Sequence, residues 1–320
     1  MRGCAAAFVA LVLCAGLAAQ QRPPVADHHQ HVASSTIAKL LGAEAIKFPV
    51  ITARDVIAHL DAAGIQRAVL LSLAYMYGSP SRKVDDEYAK VRAENDWTGA
   101  QARQYPERLR AFCGFNPLKA YALDELARCA KEPNLRYGIK LHLGNSDVQL
   151  EVPEHLEQLR RVFRAANEHK MAIVVHLRAS ISKNRPYGPA QARVFLDQLL
   201  PLVPDIPVQV AHLAGSGPGD DPAADSVMAV LAEAVAKGDP RTRNLWFDVT
   251  SVADLKISAS NAALLAKRIR QVGVARILYG SDAIVGPNLP PREGWAAFRR
   301  LPLTEQEFNQ IAANVAPYLR

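Results

Sequence analysis

The chain has 320 residues, of which 49% are hydrophobic and 22% charged, with a formal charge of +7. That length buries a large core, fits either two domains or one α/β barrel, and with this composition excludes a disordered or fibrous chain. The positive charges are scattered, with no basic-aromatic stripe, so they read as a solvated surface and no nucleic-acid partner is expected.

The first element is a leader. "MRGCAAAFVALVLCAGLAAQQ" begins with Arg2, runs apolar from Ala5 to Leu13 and closes on small residues, the pattern of a secretory signal peptide cleaved after Ala18 or Ala19. Residues 1–19 are read as this leader and 20–320 as one mature domain, periplasmic or secreted, with no stable membrane insertion once the leader is gone. Cys14 follows the bulky Leu13 and is not expected to carry a lipid. Of the two cysteines beyond the leader, Cys113 falls in a strand-like run and Cys129 in a helix-like run. They lack zinc-site spacing. Export permits a disulfide, but each is expected to pack separately as a small buried hydrophobe.

Eight short apolar or β-branched runs follow in order: "VADHHQHV" (25–32), "RAVLLSLA" (67–74), "RLRAFCGFNP" (108–117), "YGIKLHLG" (137–144), "MAIVVHLR" (171–178), "IPVQVAHLA" (206–214), "NLWFDVTS" (244–251) and "ARILYGSDA" (275–283). Amphipathic helical runs separate them. In "TARDVIAHLDAAG", Thr52 and Asp55 have capping-box spacing and Gly64 is a stop. In "PEHLEQLRRVFRAANEHK", Leu156, Leu159, Val162, Phe163 and Ala166 share one face. Similar runs cover 86–104, 121–131, 189–199, 223–237, 259–271 and 304–318. Strand then helix, eight times over, predicts parallel pairing and the α/β class, a single (β/α)8 TIM barrel. An open doubly wound sheet would carry a glycine-rich phosphate turn after an early strand. The only glycine-rich stretch, "GSGPGDDP" (215–222), follows the sixth strand without a P-loop lysine and reads as a loop.

Chemistry in such barrels sits at the C-terminal strand ends. His29 and His31 close strand one, Asn116 strand three, Lys140 and His142 strand four, His176 strand five with Arg178 just beyond, His212 strand six and Asp282 strand eight. Alternation lets His29 and His31 both face inward, with Asp27 one layer deeper, and turns His28 outward towards the helices. One such histidine is ordinarily a hydrogen-bonded core residue. An H-x-H, two further histidines and an aspartate at four strand ends form a donor set suited to zinc and related divalent ions.

These residues also resemble a family. The H-x-H, "VVHL" with His176, "VAHLAG" with His212, "LYGSDA" with Asp282 and the closing "EQEFNQIAANVAPYL" are similar to the amidohydrolase superfamily, in particular its amidohydrolase-2 branch of metal-dependent barrel hydrolases and decarboxylases. The likeness runs from Asp27 to Leu319. It implies a divalent metal, one zinc, held by His29, His31, His176 and Asp282. Asp282 would double as proton acceptor, and His212 would act on the substrate beside the metal. Lys140 leaves a second reading open, since in binuclear relatives a strand-four lysine is carboxylated and bridges two metals. Otherwise Lys140, His142, Arg178 and Asn116 are candidates for substrate contact. Arg178 would either clamp a carboxylate or order its loop through a salt bridge. Asp27 would lie in a second shell below the metal. The expected reaction is hydrolysis of an ester, lactone or amide by metal-activated water; the alternative is non-oxidative decarboxylation of an aromatic or enoic acid on the same site. The expected partner is a small-molecule substrate, and a homo-oligomer stays open. Loops 33–51 and 75–87 are long enough for a lid, with Phe48, Tyr75 and Tyr77 as pocket walls.

Overall fold

The structure is a computed structural model that describes residues 22–42, 48–217, 221–283 and 288–320. The leader therefore lies outside the described residues, as do parts of the 33–51 and 215–222 loops. Eight parallel strands run in chain order around one sheet: β1 (Ala26–Gln30), β2 (Arg67–Leu71), β3 (Leu109–Gly114), β4 (Gly138–His142), β5 (Ala172–His176), β6 (Val208–Val210), β7 (Leu245–Asp248) and β8 (Ile277–Leu278). Backbone bonds from His28 N to Tyr279 O (2.9 Å) and from Asp282 N to His29 O (2.7 Å) bring the two edges together. The expected single (β/α)8 barrel is the observed one.

Local chemistry sets the helix ends. Thr52 and Asp55 form the reciprocal capping box of Ala53–Ala63, and Gly64 ends that helix in the left-handed region at φ 72°. Pro153 opens Pro153–Glu168, whose buried face is Leu156, Leu159, Val162, Phe163 and Ala166. The segment after β1 holds a short helix, Ser35–Leu41, where the sequence suggested only loop. Among the described residues no helix is long and apolar enough to cross a membrane.

Two apolar layers result. The larger one lies between strands and helices. The smaller one joins Val69 and Leu71 of β2, Phe112 of β3, and Ala172 and Val174 of β5, with Tyr318 packed on it. Since β5 is not a neighbour of β2 or β3, this cluster fills the barrel interior. Register stacks Gly114, Lys140, Val174 and Gln209 at one level and sets His142 beside His176 one inward step higher. The interior is therefore apolar at the N-terminal end and polar at the C-terminal rim.

One expectation is corrected. Cys113 and Cys129 do not pack as separate thiols but form a disulfide. Cys113 sits on β3 and Cys129 on the helix Ala122–Lys131, and their Cα atoms, 6.3 Å apart, are within bridging range. The bridge closes a sequence separation of 16. A Cys113→Ser/Cys129→Ser variant is expected to lose about 3 kcal/mol of stability, from loop-closure entropy. An unchanged denaturant midpoint would show that the bridge contributes nothing.

Candidate functional site

The compact group at the rim is His29, His31 and Asp282, whose ligand atoms all lie within 4.8 Å of one another. The ends of two strands deliver them. His29 lies in β1, His31 just beyond it, and Asp282 in the turn after β8 at φ 51°. Gly280 permits this approach: a Cβ there would meet His29 Cβ at 2.8 Å and also collide with Thr250 Oγ1. Gly280→Ala is therefore expected to cost about 1–3 kcal/mol in overpacking and to weaken metal uptake by displacing His29. Retention of both the melting temperature and the metal content would refute that reading.

The histidines share a hydrogen-bonding scheme. Nδ1 of His29 faces Asp248 Oδ2 at 3.1 Å, Nδ1 of His31 faces Leu71 O at 2.5 Å, and Nδ1 of His212 faces Thr250 O at 2.8 Å. Each partner is an acceptor, so each ring carries its proton on Nδ1 and keeps the Nε2 lone pair for the site. Burial holds all three imidazoles below their ordinary pKa, His31 down to about 3, with Lys140 adding to the effect. They are therefore neutral, the form that binds metal.

Asp282 completes the donor set. Its Oδ2 accepts from Asn288 Nδ2 at 2.9 Å. Among the described residues no hydrogen-bond donor reaches its buried Oδ1, which lies 3.3 Å from His31 Nε2. Burial pushes this carboxyl up, against the pull of Lys140. An orphaned carboxylate oxygen beside neutral imidazoles fits a divalent cation. Lys140, 1% exposed, sets its Nζ 3.1 Å from His29 Nε2, which makes it the positive charge on this group; burial lowers its pKa.

The other sequence candidates are distributed around this group. The His176 ring stacks on His142 at 3.8 Å and stands 5.0 Å from His212, outside the three-residue cluster. His212 stands 4.8 Å from the His29 ring. Strand alternation alone would not turn it there. His212, Leu213 and Ala214 all have positive φ, and Asp248 Oδ1 accepts from His212 N at 2.8 Å. Left-handed geometry costs a non-glycine residue roughly 1–2 kcal/mol, strain of the kind that surrounding bonds hold at functional sites. His142 also accepts from Asn145 N at 3.1 Å, and its ring lies 5.2 Å from Tyr75. Tyr77 instead packs away from the group, beside Ser34 and Glu94.

Arg178 pairs with Asp221 at 2.8 Å and lies over the Tyr187 ring, the loop-ordering arrangement. Asn116 spends both ends of its amide internally, donating to Gly78 O at 2.6 Å and accepting from Leu118 N at 2.9 Å. Asp27 touches no imidazole. It accepts from Ser281 Oγ at 2.7 Å, Gln30 Nε2 at 2.8 Å and His29 N at 3.1 Å, tying β1 to the turn that carries Asp282. The β1 register irregularity between Asp27 and Gln30 accounts for its different direction. Burial pushes its carboxyl up to about 6. His28 points away from the group, as alternation requires, with Nδ1 on Tyr279 O and Nε2 accepting from Ala316 N.

Sequence reasoning missed Asp248. It ends β7 fully buried and accepts from His29, His212 N and Gln209 Nε2, the last at 2.6 Å. Burial opposes its charge, yet His29 and His212 hold its carboxyl well below the usual range. The available signal was its place at the end of "NLWFD". Behind it, Gln209 Oε1 accepts from the Tyr318 hydroxyl. A hydrogen-bond chain thus runs from the C-terminal turn Pro317–Leu319, through the barrel, to His29.

Comparison with known proteins bears on the family and the fold. The family model described as amidohydrolase matches residues 27–315. No curated protein matches by sequence. Among solved structures, the chain is similar to a probable 2-pyrone-4,6-dicarboxylic acid hydrolase from Acinetobacter baumannii with citric acid bound, at 18% identity and TM-score 0.55, covering 90% of this chain and 95% of that one. It is similar to 2,6-dihydroxybenzoate decarboxylase from Rhizobium at 15% identity and TM-score 0.59, covering 91% and 96%. It is similar also to 5-carboxyvanillate decarboxylase from Novosphingobium aromaticivorans, complexed with manganese and 4-hydroxy-3-methoxy-5-nitrobenzoic acid, at 15% identity and TM-score 0.59, covering 92% and 95%.

Proposed function

Because the chain belongs to the amidohydrolase family, we propose that it is a metal-dependent hydrolase of an ester, lactone or amide bond. The observation that carries this reading is Asp282 Oδ1, buried, without a donor among the described residues and facing the histidines. His29, His31 and Asp282 would hold one divalent ion, zinc in our proposal. His176 is the fourth ligand that the resemblance implies, and Lys140 would become a ligand only if carboxylated. When bound, the ion acts as a Lewis acid towards a carbonyl and acidifies water.

The chain's own residues supply the rest. Asp248 holds the Nδ1 proton of His29, so that ring presents a lone pair rather than a proton to the site. Asn288 immobilises Oδ2 of Asp282 and leaves Oδ1 to accept the proton of the attacking water and return it to the leaving group. His212, neutral and anchored on Thr250 O, directs Nε2 at the same space. Lys140 attracts an anionic substrate.

That buried ammonium also favours the second reading, decarboxylation, because it gives a substrate carboxylate a charge partner. We further read the protein as exported. The leader pattern of 1–19 and the Cys113–Cys129 bridge both support that, since disulfides persist in oxidising compartments.

The test is elemental analysis of purified mature protein beside Lys140→Ala, followed by turnover assays. About one metal per chain in both proteins, with ester or lactone cleavage, is the expected result. About two metals, falling in Lys140→Ala, would replace the mononuclear site with a lysine-bridged pair. Release of carbon dioxide from aromatic or enoic acids, without ester cleavage, would select the second reading. Absence of metal under every loading condition would sink both.

A further inference from the structure

A cavity of about 290 Å³ opens beside His212. That is near the lower end of the volume range of small-molecule sites. It lies between the helices Pro222–Ala236 and Ala259–Val272, with the segment after β7 as its third wall. Its apolar lining includes Leu213, Met228, Val252, Ile257 and Leu265. Several charges around it are matched within the protein. Asp221 pairs with Arg178 at 2.8 Å. Asp225 takes Arg268 in a two-pronged pair, at 2.6 and 2.9 Å. Asp254 accepts from the backbone amide of Lys256 at 2.7 Å, and the exposed Lys256 also lines the cavity.

A ligand group entering here meets the apolar walls, two carboxylates already paired with arginines, the polar side chains of Ser258 and Asn261, and the exposed Lys256. An apolar group only displaces water. The single imidazole on the lining is His212, whose ring also stands 4.8 Å from that of His29. The cavity thus adjoins the rim at His212.

We propose that this chamber binds an uncharged alkyl or aryl arm of the substrate, so that the substrate class is an acyl or aryl compound with an apolar extension. The proposal rests on the metal-site reading above for the position of the reacting end. It assigns Ile257 and Leu265, both half-buried on the lining, as residues that set arm length.

The experiment is calorimetric binding of straight-chain carboxylates, from acetate to decanoate, to the metal-loaded protein and to Leu265→Trp and Ile257→Trp. Circular dichroism and melting temperature check that each variant is folded. In the parent protein, affinity is expected to rise roughly two- to fourfold per methylene until the chamber is full and then to level off. In either tryptophan variant the rise is expected to stop several carbons earlier, with acetate binding unchanged. A flat series in the parent, with acetate still bound, would overturn the chamber and leave the metal site standing. Long acids that bind and respond to the tryptophans, while acetate does not bind, would uphold the chamber and count against the metal-site reading. A series that binds nowhere would overturn both.

Discussion

Asp282→Asn is expected to lower kcat about 10²- to 10⁴-fold, the range for loss of a positioned general base, while leaving the fold intact. The substitution is nearly isosteric. Asp282 sits at φ 51°, a conformation that asparagine adopts readily. An amide oxygen can still accept from Asn288 Nδ2, which now holds Oδ2. The lost elements are the charge and the capacity to take a proton at the position facing His31 Nε2. Because burial disfavours that charge, the neutral variant is expected to melt no lower than the parent. Activity, metal content and melting temperature measured on one preparation decide the matter. Full activity in Asp282→Asn would remove Asp282 from the mechanism.

Asp248→Asn is expected to weaken metal binding about 10- to 100-fold, the usual cost of losing an outer carboxylate partner of a ligating histidine. Its two oxygens have different duties. Oδ1 accepts from His212 N and Thr250 N, and Oδ2 accepts from His29 Nδ1 and Gln209 Nε2. An asparagine that keeps the first duty turns its NH2 towards His29 Nδ1. Two donors then face each other, and His29 relieves the clash by moving its proton to Nε2, the atom facing the site. The control is Asp27→Asn. Asp27 is equally buried, but its side chain bonds the side chains of Ser281 and Gln30 and the backbone amides of His29 and Ser281 rather than an imidazole. Titration of both apo-variants with Mn²⁺ or Zn²⁺ should separate them. Equal losses would mean that the effect is general disturbance of a packed interior.

Histidines at strand ends were legible because two simple periodicities locate them: the two-residue alternation within a strand and the strand-helix repeat. His29, His31 and Asp282 follow from that logic, as does the outward His28. Other features depend on contacts that no local pattern encodes. Asp248 looked like an ordinary strand end because its partners come from β1 and β6, far away in sequence. His212 reaches the rim through a left-handed turn built from His-Leu-Ala, without the glycine that usually announces one. Asn116 and Arg178 have the right residue types for substrate contact, yet the first is consumed by turns and the second by Asp221. The disulfide needed the packing of a helix against its strand, which spacing alone does not reveal.

Tyr318 has a practical implication for handling the protein. Its ring closes the apolar end of the barrel against Phe112, and its hydroxyl is the first link of the chain through Gln209 and Asp248 to His29. The turn Pro317–Leu319 is therefore a keystone for a site at the opposite mouth. A purification handle fused after Arg320 would pull on that keystone and disturb His29, the proposed metal ligand, without approaching it. Such a handle needs slack between itself and the turn, and metal content is the assay by which a tagged preparation should be accepted.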